Sequence, residues 1–294
     1  MGVGIMVDVR AFGIIGGDKR QVAVAESISS DGYNVYVAGF DKIDIKNSIL
    51  KGSIEEVINN SECIILPLPV TKKGSILNAP FSERDILITN DTIEMMKDKK
   101  VFCGMASKLI DTNDRWKSLN IYDYSKREEF SVKNAVPTAE GAIEIAMREY
   151  PGTINGSNCL IAGYGRIGKV LAYMLKGLGA NVTVSARKPK DIAGIQVMGY
   201  KPIQTSDIRY TKGYDIIFNT IPYVIFNANT LAHSAINSIV IDLASAPGGV
   251  DFVAAKRMGI KTIQALSLPG KIAPKAAGEI IKDTIYNMLE EDSR

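Results

Sequence analysis

Three glycines with the spacing G-x-G-x-x-G, at Gly163, Gly165 and Gly168, are the residues of this chain with the clearest chemical meaning. A short apolar run of strand length precedes them, and apolar residues follow with the period of a helix. In such a strand, turn and helix, the first glycine permits a tight turn and the second lets the backbone approach a pyrophosphate. The third lets helix and strand pack closely, and the helix N-terminus offers N–H groups to phosphate. The pattern predicts a dinucleotide site that also includes Tyr164, Arg166 and Ile167.

The strand after the glycine motif indicates which dinucleotide binds. It ends in Ser185, Ala186, Arg187 and Lys188, where an NAD-binding protein usually has an acid that binds the ribose 2′-hydroxyl. Two cations and a hydroxyl suit a 2′-phosphate instead, because arginine and lysine form charge-assisted hydrogen bonds with phosphate oxygens. We therefore expect NADP rather than NAD. The alternative is that the two cations belong to a solvated loop.

Composition excludes several other classes of function. The chain has 294 residues, of which 46% are hydrophobic and 23% charged, and this is enough for two globular domains. The net charge is only +3 and the cationic residues are scattered, so nucleic acid is not expected as a partner. The sequence has no apolar run long enough to span a membrane, so a membrane is not expected either. Asp8 interrupts the apolar N-terminus, so we expect no secretion signal. Cys63, Cys103 and Cys159 lie in separate apolar runs and are interpreted as reduced core residues of a cytosolic protein, with no metal site.

Strands that alternate with short helices predict parallel sheets covered on both faces. We expect an α/β protein of two Rossmann-like, doubly wound parallel-sheet domains with a cleft between them. Residues 1–133 would form the N-terminal substrate or partner domain, and residues 134–273 the NADP-binding domain, which begins with a bridging helix at about 138–148. Residues 274–294 would form a helix that returns to the first domain.

Ligands of open α/β sheets bind at the carboxyl ends of the strands. Five residues at such positions in the second domain are expected near the nicotinamide: Asn219, Thr220, Pro222, Asp242 and Ala244. In the first domain, residues 73–91 show little periodicity and are the best candidate for a mobile active-site loop.

The only histidine, His233, argues against one familiar chemistry. Two-domain 2-hydroxyacid dehydrogenases share this layout and need a histidine acid/base near the end of the last strand. Here that region ends in Lys271, while His233 lies in a predicted helix and is interpreted as a structural or surface residue. Lys271 and Glu140 are the candidates for an acid/base group. The alternatives are a loop cation for Lys271, and for Glu140 a helix-dipole role in the first turn of the bridging helix.

Motifs along nearly the whole chain resemble the A subunits of the dipicolinate synthases of endospore-forming bacteria. They lie at residues 15–21, 38–41, 65–67, 137–141, 163–168, 219–222, 242–249 and 268–275. The resemblance implies NADP-dependent oxidation of a dihydrodipicolinate-type intermediate of lysine biosynthesis to pyridine-2,6-dicarboxylate. It also implies a second subunit similar to flavin-binding proteins, a homo-oligomer, and the cytoplasm of the mother cell of a sporulating bacterium. It identifies no catalytic base.

The implied reaction agrees with the residues. Oxidation of a dihydropyridine gains aromatic stabilisation, so the enzyme needs mainly to orient the ring. A dicarboxylate needs cations and N–H donors, and the candidates in the first domain are Gly17, Asp18, Arg20, Ser107 and Lys108. For each, the alternative is an ordinary turn or a solvated charge. Two other functions stay open: a 2-hydroxyacid-dehydrogenase-like oxidoreductase, and a non-catalytic NADP-binding regulatory subunit.

Overall fold

The computed structural model describes residues 9–293, and the chain divides into two compact units. Unit 1 comprises Met1–Lys133 and Ala273–Arg294, and unit 2 comprises Asn134–Ile272. The expectation that no secretion signal is present depends on residues 1–8, which lie outside the described residues. Among the residues described, no helix has the length and apolar character needed to cross a membrane.

Unit 1 is organised around one parallel sheet. Its strands are β1 (Ala11–Ile15), β2 (Asn34–Ala38), β3 (Leu50–Lys51), β4 (Cys63–Ile65), β5 (Thr71–Lys73), β6 (Ile76–Leu77), β7 (Lys100–Cys103) and β8 (Ile121–Asp123). Six of them pair in the order β3-β2-β1-β4-β7-β8, and β5 and β6 form a separate antiparallel pair. The accompanying helices are α1 (Lys19–Ser30), α2 (Ile54–Asn59), α3 (Asn90–Met95) and α4 (Ala106–Ile110).

The central strand β1 shows why this sheet is buried on both faces. All five of its residues are buried, and alternate side chains enter different apolar clusters, with Phe12 and Ile14 in one and Ile15 in the other. Gly13 belongs to the face that α2 covers, because a Cβ there would lie 2.8 Å from a methyl carbon of Val57. A fully apolar strand covered by helices on both sides is typical of parallel α/β sheets.

The segment predicted as an irregular loop, residues 73–91, contains ordered backbone pairing. The β5–β6 pair is extended by a bridge between Ile76 and Leu87, and Leu77 N donates to Ile86 O at 2.9 Å. Leu77 is buried, so this short hairpin is fixed to the core of unit 1. A role as a mobile active-site loop stays a prediction.

The helix that lies between β8 and β9 in the chain order, α5 (Glu128–Glu149), begins about ten residues earlier than predicted. Pro137, which directly precedes the predicted helix at about 138–148, lies inside the observed helix, and Thr138 Oγ1 donates to Asn134 O at 2.7 Å. Proline removes one backbone hydrogen bond. Buried alanines on both sides of Pro137, Ala135 and Ala139, pack in the interior and favour the continuous helix.

Unit 2 repeats the architecture of unit 1. Its strands are β9 (Asn158–Ala162), β10 (Asn181–Ala186), β11 (Lys201–Gln204), β12 (Ile216–Asn219), β13 (Ile239–Asp242) and β14 (Lys261–Gln264), all parallel, in the order β11-β10-β9-β12-β13-β14. Its helices after α5 are α6 (Arg166–Gly177), α7 (Pro189–Val197), α8 (Ala228–Ser234), α9 (Phe252–Arg257) and α10 (Leu268–Ile272). This strand order is that of a dinucleotide-binding Rossmann sheet. The predicted fold class of two doubly wound parallel-sheet units is confirmed.

The last helix, α11 (Pro274–Asp292), belongs to unit 1 and packs against α1, as expected for a returning C-terminal helix. Gly278 makes this close packing possible, because a Cβ there would lie 2.7 Å from Arg20 O. At the edges of the contact Ser27 Oγ donates to a Glu279 carboxylate oxygen at 2.8 Å, and Lys282 pairs with Asp31 at 2.9 Å.

All three cysteines are free and buried, which confirms their prediction as reduced core residues. Burial raises the pKa of Cys63 and of Cys103 from 9.0 to about 12, and that of Cys159 to about 11. A protonated, inaccessible thiol is a poor nucleophile and a poor metal ligand. These residues therefore contribute packing rather than chemistry.

Candidate functional site

The glycine turn after β9 has the geometry that a dinucleotide needs. Gly163 has φ of 103°, and a side chain there would also collide with Thr220 Oγ1. A Cβ at Gly168 would collide with the carbonyl oxygen of Gly163, so only glycine lets α6 start this close to the strand. At Gly165, by contrast, an added Cβ would meet nothing within 4 Å. The space beside Gly165 is therefore open for a ligand.

The N-terminus of α6 is suited to an anion. Gly165 occupies the N-cap position, and no side chain caps the helix. The first N–H groups of a helix have no partner within it and carry a partial positive charge. Arg166 and Ile167 form the first helical turn beside this space, and Tyr164 precedes it with Lys169 over its ring at 5.2 Å from the centroid. These residues fit a dinucleotide pyrophosphate.

The three residues predicted to bind the 2′-phosphate separate into two kinds. Ser185 is fully buried, and its Oγ accepts from Gly163 N at 3.3 Å and from Thr205 Oγ1 at 3.4 Å. Its hydroxyl therefore holds the glycine turn, and contact of Ser185 with a 2′-phosphate stays a prediction. Arg187 and Lys188 are exposed after β10, and in the part of the chain described here neither forms an ion pair. They are available to a phosphate.

The predicted nicotinamide residues at the ends of β12 and β13 form an internal network. Asn219 and Asp242 are register partners with no exposed surface, and Asn219 Nδ2 donates to Asp242 Oδ1 at 2.7 Å. Asp242 also accepts from Ala244 N at 3.2 Å and from Gly249 N at 3.0 Å. Asn219 donates further to Ile221 O at 3.0 Å. The network shapes the turns at 219–222 and 244–249, and direct contact of Asn219 or Asp242 with a cofactor stays a prediction.

Thr220 has a related structural role, whereas Pro222 is accessible. Thr220 N and Oγ1 both donate to Ala162 O, at 2.9 and 2.8 Å, and join the ends of β12 and β9. The buried Ala244 lies in the turn that Asp242 holds. Pro222 is exposed and lines a cavity together with Arg187. Pro222 is the exposed member of this predicted set.

In unit 1 the turn before α1 is closed by the chain's own groups. The Asp18 carboxylate caps α1 at Arg20 N, and it accepts from Arg20 Nε at 3.0 Å and from Arg20 Nη2 at 2.8 Å. Arg20 Nη2 also donates to Leu68 O, and the Arg20 side chain is only 10% exposed. Gly17 has φ of 112° and packs against Gln21. Binding of a substrate carboxylate by Gly17, Asp18 and Arg20 stays a prediction, and it would require Arg20 to exchange partners.

The region of Ser107 and Lys108 contains a carboxylate that sequence reasoning missed. Met105 precedes α4 with φ of 64°, and Asp123 accepts from Met105 N at 3.2 Å and from Ala106 N at 2.9 Å. Asp123 thus occupies the start of α4, and its position at the end of β8 was the available signal. Ser107 and Lys108 are exposed on this short helix.

Of the two acid/base candidates, Glu140 lies apart from the glycine turn. Glu140 is exposed in the middle of α5 rather than in a first turn, and it lines a groove with Met174 and Leu178 at the far end of α6. With 1.5 Å of rise per residue, that end lies roughly 12 Å or more from the N-terminus of α6. Lys271 is exposed in the last turn of α10. His233 is exposed on α8, with its Nδ1 2.9 Å from Asn229 O, as predicted for a surface residue.

Comparisons with known proteins agree with this geometry. Residues 11–125 match the family described as the N-terminal domain of the dipicolinate synthase A subunit, and residues 133–248 match the NAD binding domain of D-isomer specific 2-hydroxyacid dehydrogenases. The chain is 32% identical over 282 residues to the dipicolinate synthase A subunit of Bacillus subtilis (strain 168), covering 95% of both sequences.

Two solved structures are similar over nearly the whole chain. The A chain of Bacillus subtilis dipicolinate synthase has a TM-score of 0.87 at 32% identity, with 98% of each chain covered. The dipicolinate synthase A subunit of Bacillus halodurans has a TM-score of 0.86 at 33% identity, with 95% of this chain and 97% of that chain covered. Unit 2 is thus a dehydrogenase-type domain for a nicotinamide dinucleotide, and the chain belongs to the family of dipicolinate synthase A subunits.

Proposed function

We propose that this protein oxidises a dihydrodipicolinate-type intermediate to pyridine-2,6-dicarboxylate with NADP. The observation that carries the proposal is the open, uncapped turn at Gly165 in a chain of this family. Exposed Arg187 and Lys188 at the next strand end, with no acid beside them in sequence, support NADP over NAD. NADP rather than NAD and the identity of the substrate are the parts of the proposal that experiment has to decide.

The residues of the glycine turn bind and orient the cofactor in this proposal. Gly165 and the first N–H groups of α6 would hold the pyrophosphate, and Arg187 and Lys188 the 2′-phosphate. The Asn219–Asp242 network would hold the turns near the nicotinamide in one arrangement. When bound, the nicotinamide supplies the acceptor for the hydride that the dihydropyridine ring loses.

The reaction balances without a strong base. The dihydropyridine loses a hydride from carbon and a proton, and the products are the aromatic dicarboxylate, NADPH and H⁺. Because the ring becomes aromatic as the proton leaves, a modest base or water suffices. This agrees with the exposed position of His233 on α8. The chain's main contribution is then orientation of the ring.

The substrate's two carboxylates need cations in this scheme. Lys108 is exposed and forms no ion pair among residues 9–293, so it is the candidate that needs no rearrangement. Arg20 would bind a substrate carboxylate only after it breaks its hydrogen bond to Asp18 or to Leu68 O. We propose further that the protein works as a homo-oligomer with a second subunit resembling flavin-binding proteins, in the cytoplasm of a sporulating cell. The naming of its relatives as one lettered subunit of a synthase supports a partner subunit.

The experiment supplies fresh dihydrodipicolinate and NADP to the purified chain, with and without the second subunit. Reduced nicotinamide and pyridine dicarboxylate should increase together in equal amounts. A panel of 2-hydroxyacids tests the other candidate, which the matched 2-hydroxyacid dehydrogenase domain favours. Turnover of a 2-hydroxyacid in preference to the dihydropyridine would reject the proposal, and binding of NADP without any turnover would support a regulatory subunit.

A further inference from the structure

A cavity of about 670 Å³ opens at the carboxyl ends of three strands of unit 2, β10, β11 and β12. Its walls are Arg187 after β10, the 3₁₀ turn Thr205–Tyr210 after β11, and residues 221–225 after β12. It therefore adjoins the position where the fingerprint residue Arg187 is expected to meet a 2′-phosphate. The sequence does not predict this 3₁₀ turn as part of a site, because the preceding strand β11 contains Pro202 and shows little apolar alternation.

The charge in this cavity has one sign. Arg187 and Arg209 both line it, and the lining includes no Asp or Glu. Neither arginine forms an ion pair with any residue in the range 9–293, and Arg209 stacks on Tyr210 at 4.7 Å from the ring centroid. Two guanidinium groups on one cavity without a carboxylate favour an anion with several acceptor oxygens, and arginine matches the geometry of phosphate.

The remaining wall is apolar and aromatic. Ile221, Val224 and Ile225 line it, and the ring of Tyr223 is 72% exposed at its rim. A flat surface of this kind beside a cationic one suits a purine ring next to a phosphate. The chemical class that satisfies both walls is an adenosine that carries a phosphate on its ribose.

Two hydroxyls, of the buried Ser185 and the half-buried Thr205, link this cavity to the glycine turn. Ser185 Oγ accepts from Gly163 N at 3.3 Å and from Thr205 Oγ1 at 3.4 Å, and Ala186 is the register partner of Gln204. The turn that carries Arg209 is therefore held in a fixed position relative to the pyrophosphate turn. This is the arrangement needed for one dinucleotide to reach both.

We propose that Arg209 is a second ligand of the 2′-phosphate of NADP, beside Arg187, and that the Tyr223 wall covers the adenine. The inference rests on the proposed NADP-dependent function and adds a cation from outside the glycine fingerprint. Arg209 is then a specificity-determining residue, because NAD has no phosphate for it to bind.

The test uses 2′,5′-ADP and ADP as probes of the full-length protein, titrated by calorimetry. Arg209→Gln should weaken 2′,5′-ADP about tenfold to a hundredfold and change ADP affinity less than about threefold, the range expected for loss of a charge-assisted hydrogen bond. Arg209→Lys keeps the charge and should lose less. Arg257→Gln, on exposed α9, is the matched control and should leave both affinities unchanged.

The outcomes separate the inference from the function beneath it. If Arg209→Gln binds 2′,5′-ADP like the wild type while Arg187→Gln does not, the role of Arg209 is refuted and the NADP proposal survives. If the wild type binds 2′,5′-ADP no better than ADP, both are refuted. Equal losses for the two probes in a variant with a normal thermal transition would place Arg209 in general cofactor binding and overturn its role in specificity.

Discussion

Replacing Asp242 with asparagine tests whether the buried network at the ends of β12 and β13 holds the site together. The carboxylate has no exposed surface and accepts three hydrogen bonds, from Asn219 Nδ2, Ala244 N and Gly249 N. An asparagine can keep its oxygen toward Asn219 and Ala244, but its amide nitrogen then faces Gly249 N. Gly249 N and the new amide nitrogen are then both donors without an acceptor, and the two remaining bonds lose their charge assistance.

The expected loss follows from these contacts. An unpaired buried donor costs about 1–3 kcal/mol, and each weakened bond about 1 kcal/mol, while removal of a buried charge returns part of this. We expect the free energy of unfolding to fall by about 2–4 kcal/mol. Urea unfolding followed by circular dichroism measures it, with NADP affinity measured in parallel.

Asp251→Asn is the matched control for Asp242→Asn. Asp251 caps α9 by accepting from Ala254 N at 2.9 Å, and asparagine caps a helix about as well as aspartate. Its effect should stay within about 0.5 kcal/mol. The reasoning is refuted if Asp242→Asn unfolds at the same urea concentration as this control. Normal stability with lost NADP affinity would instead show that Asp242 contacts the cofactor directly.

Three further predictions concern single positions. Gly165→Ala should unfold like the wild type, because its Cβ meets no protein atom, but it should bind NADP at least tenfold more weakly, because that Cβ enters the space for the pyrophosphate. Gly168→Ala should lose stability, because its Cβ would collide with Gly163 O. NADP titration and urea unfolding of both variants test this, and the reverse pattern would contradict it. His233→Ala should keep turnover within about threefold, because a general acid/base usually contributes about a hundredfold or more; a hundredfold loss in a folded variant would show that this histidine takes part in the chemistry. The raised pKa of Cys63 and Cys103, from 9.0 to about 12, means that the folded protein holds these protons more tightly than the unfolded chain, so their contribution to stability is complete below pH 9 and is lost as pH rises to about 12. Unfolding measured across that pH range, with thiol labelling at neutral pH that should require unfolding, tests this, and rapid labelling of the native protein would disprove the burial argument.

Several elements of the fold could be predicted from local sequence patterns alone. The bounds of β1 and β2 match largely apolar runs of strand length, and the glycine turn at Gly163 forms as its spacing indicates. In these elements the period of the side chains agrees with the tertiary environment. Pro137 shows the limit of such reasoning, because the bridging helix was predicted to begin after it, whereas the observed helix continues through it with buried alanines on both sides.

Contacts between residues far apart in the sequence account for the features of the candidate site that the sequence did not predict. Polar residues at strand ends were expected to face a ligand, and in the structure they hold one another and the adjoining turns. Ser185 accepts from Gly163 N, and Asn219 donates to Asp242, which accepts from Gly249 N. Buried polar groups have to find partners, and which partner lies nearby depends on strand order rather than on sequence spacing. Arg209 was missed for the complementary reason, because its turn follows a strand with a weak pattern.

NADP-dependent oxidation with the cofactor bound at the Gly165 turn can be tested by following reduced nicotinamide and product in one assay. Fresh dihydrodipicolinate is given to the wild type and to Gly165→Val, with NADP or NAD, in the presence of the second subunit, and reduced nicotinamide is followed by absorbance. We expect the wild type to produce one NADPH per pyridine dicarboxylate, with kcat/KM at least tenfold higher for NADP than for NAD, and the valine variant to stay folded but inactive. Formation of the dicarboxylate at the same rate with the valine variant, or without any reduced nicotinamide, would contradict it.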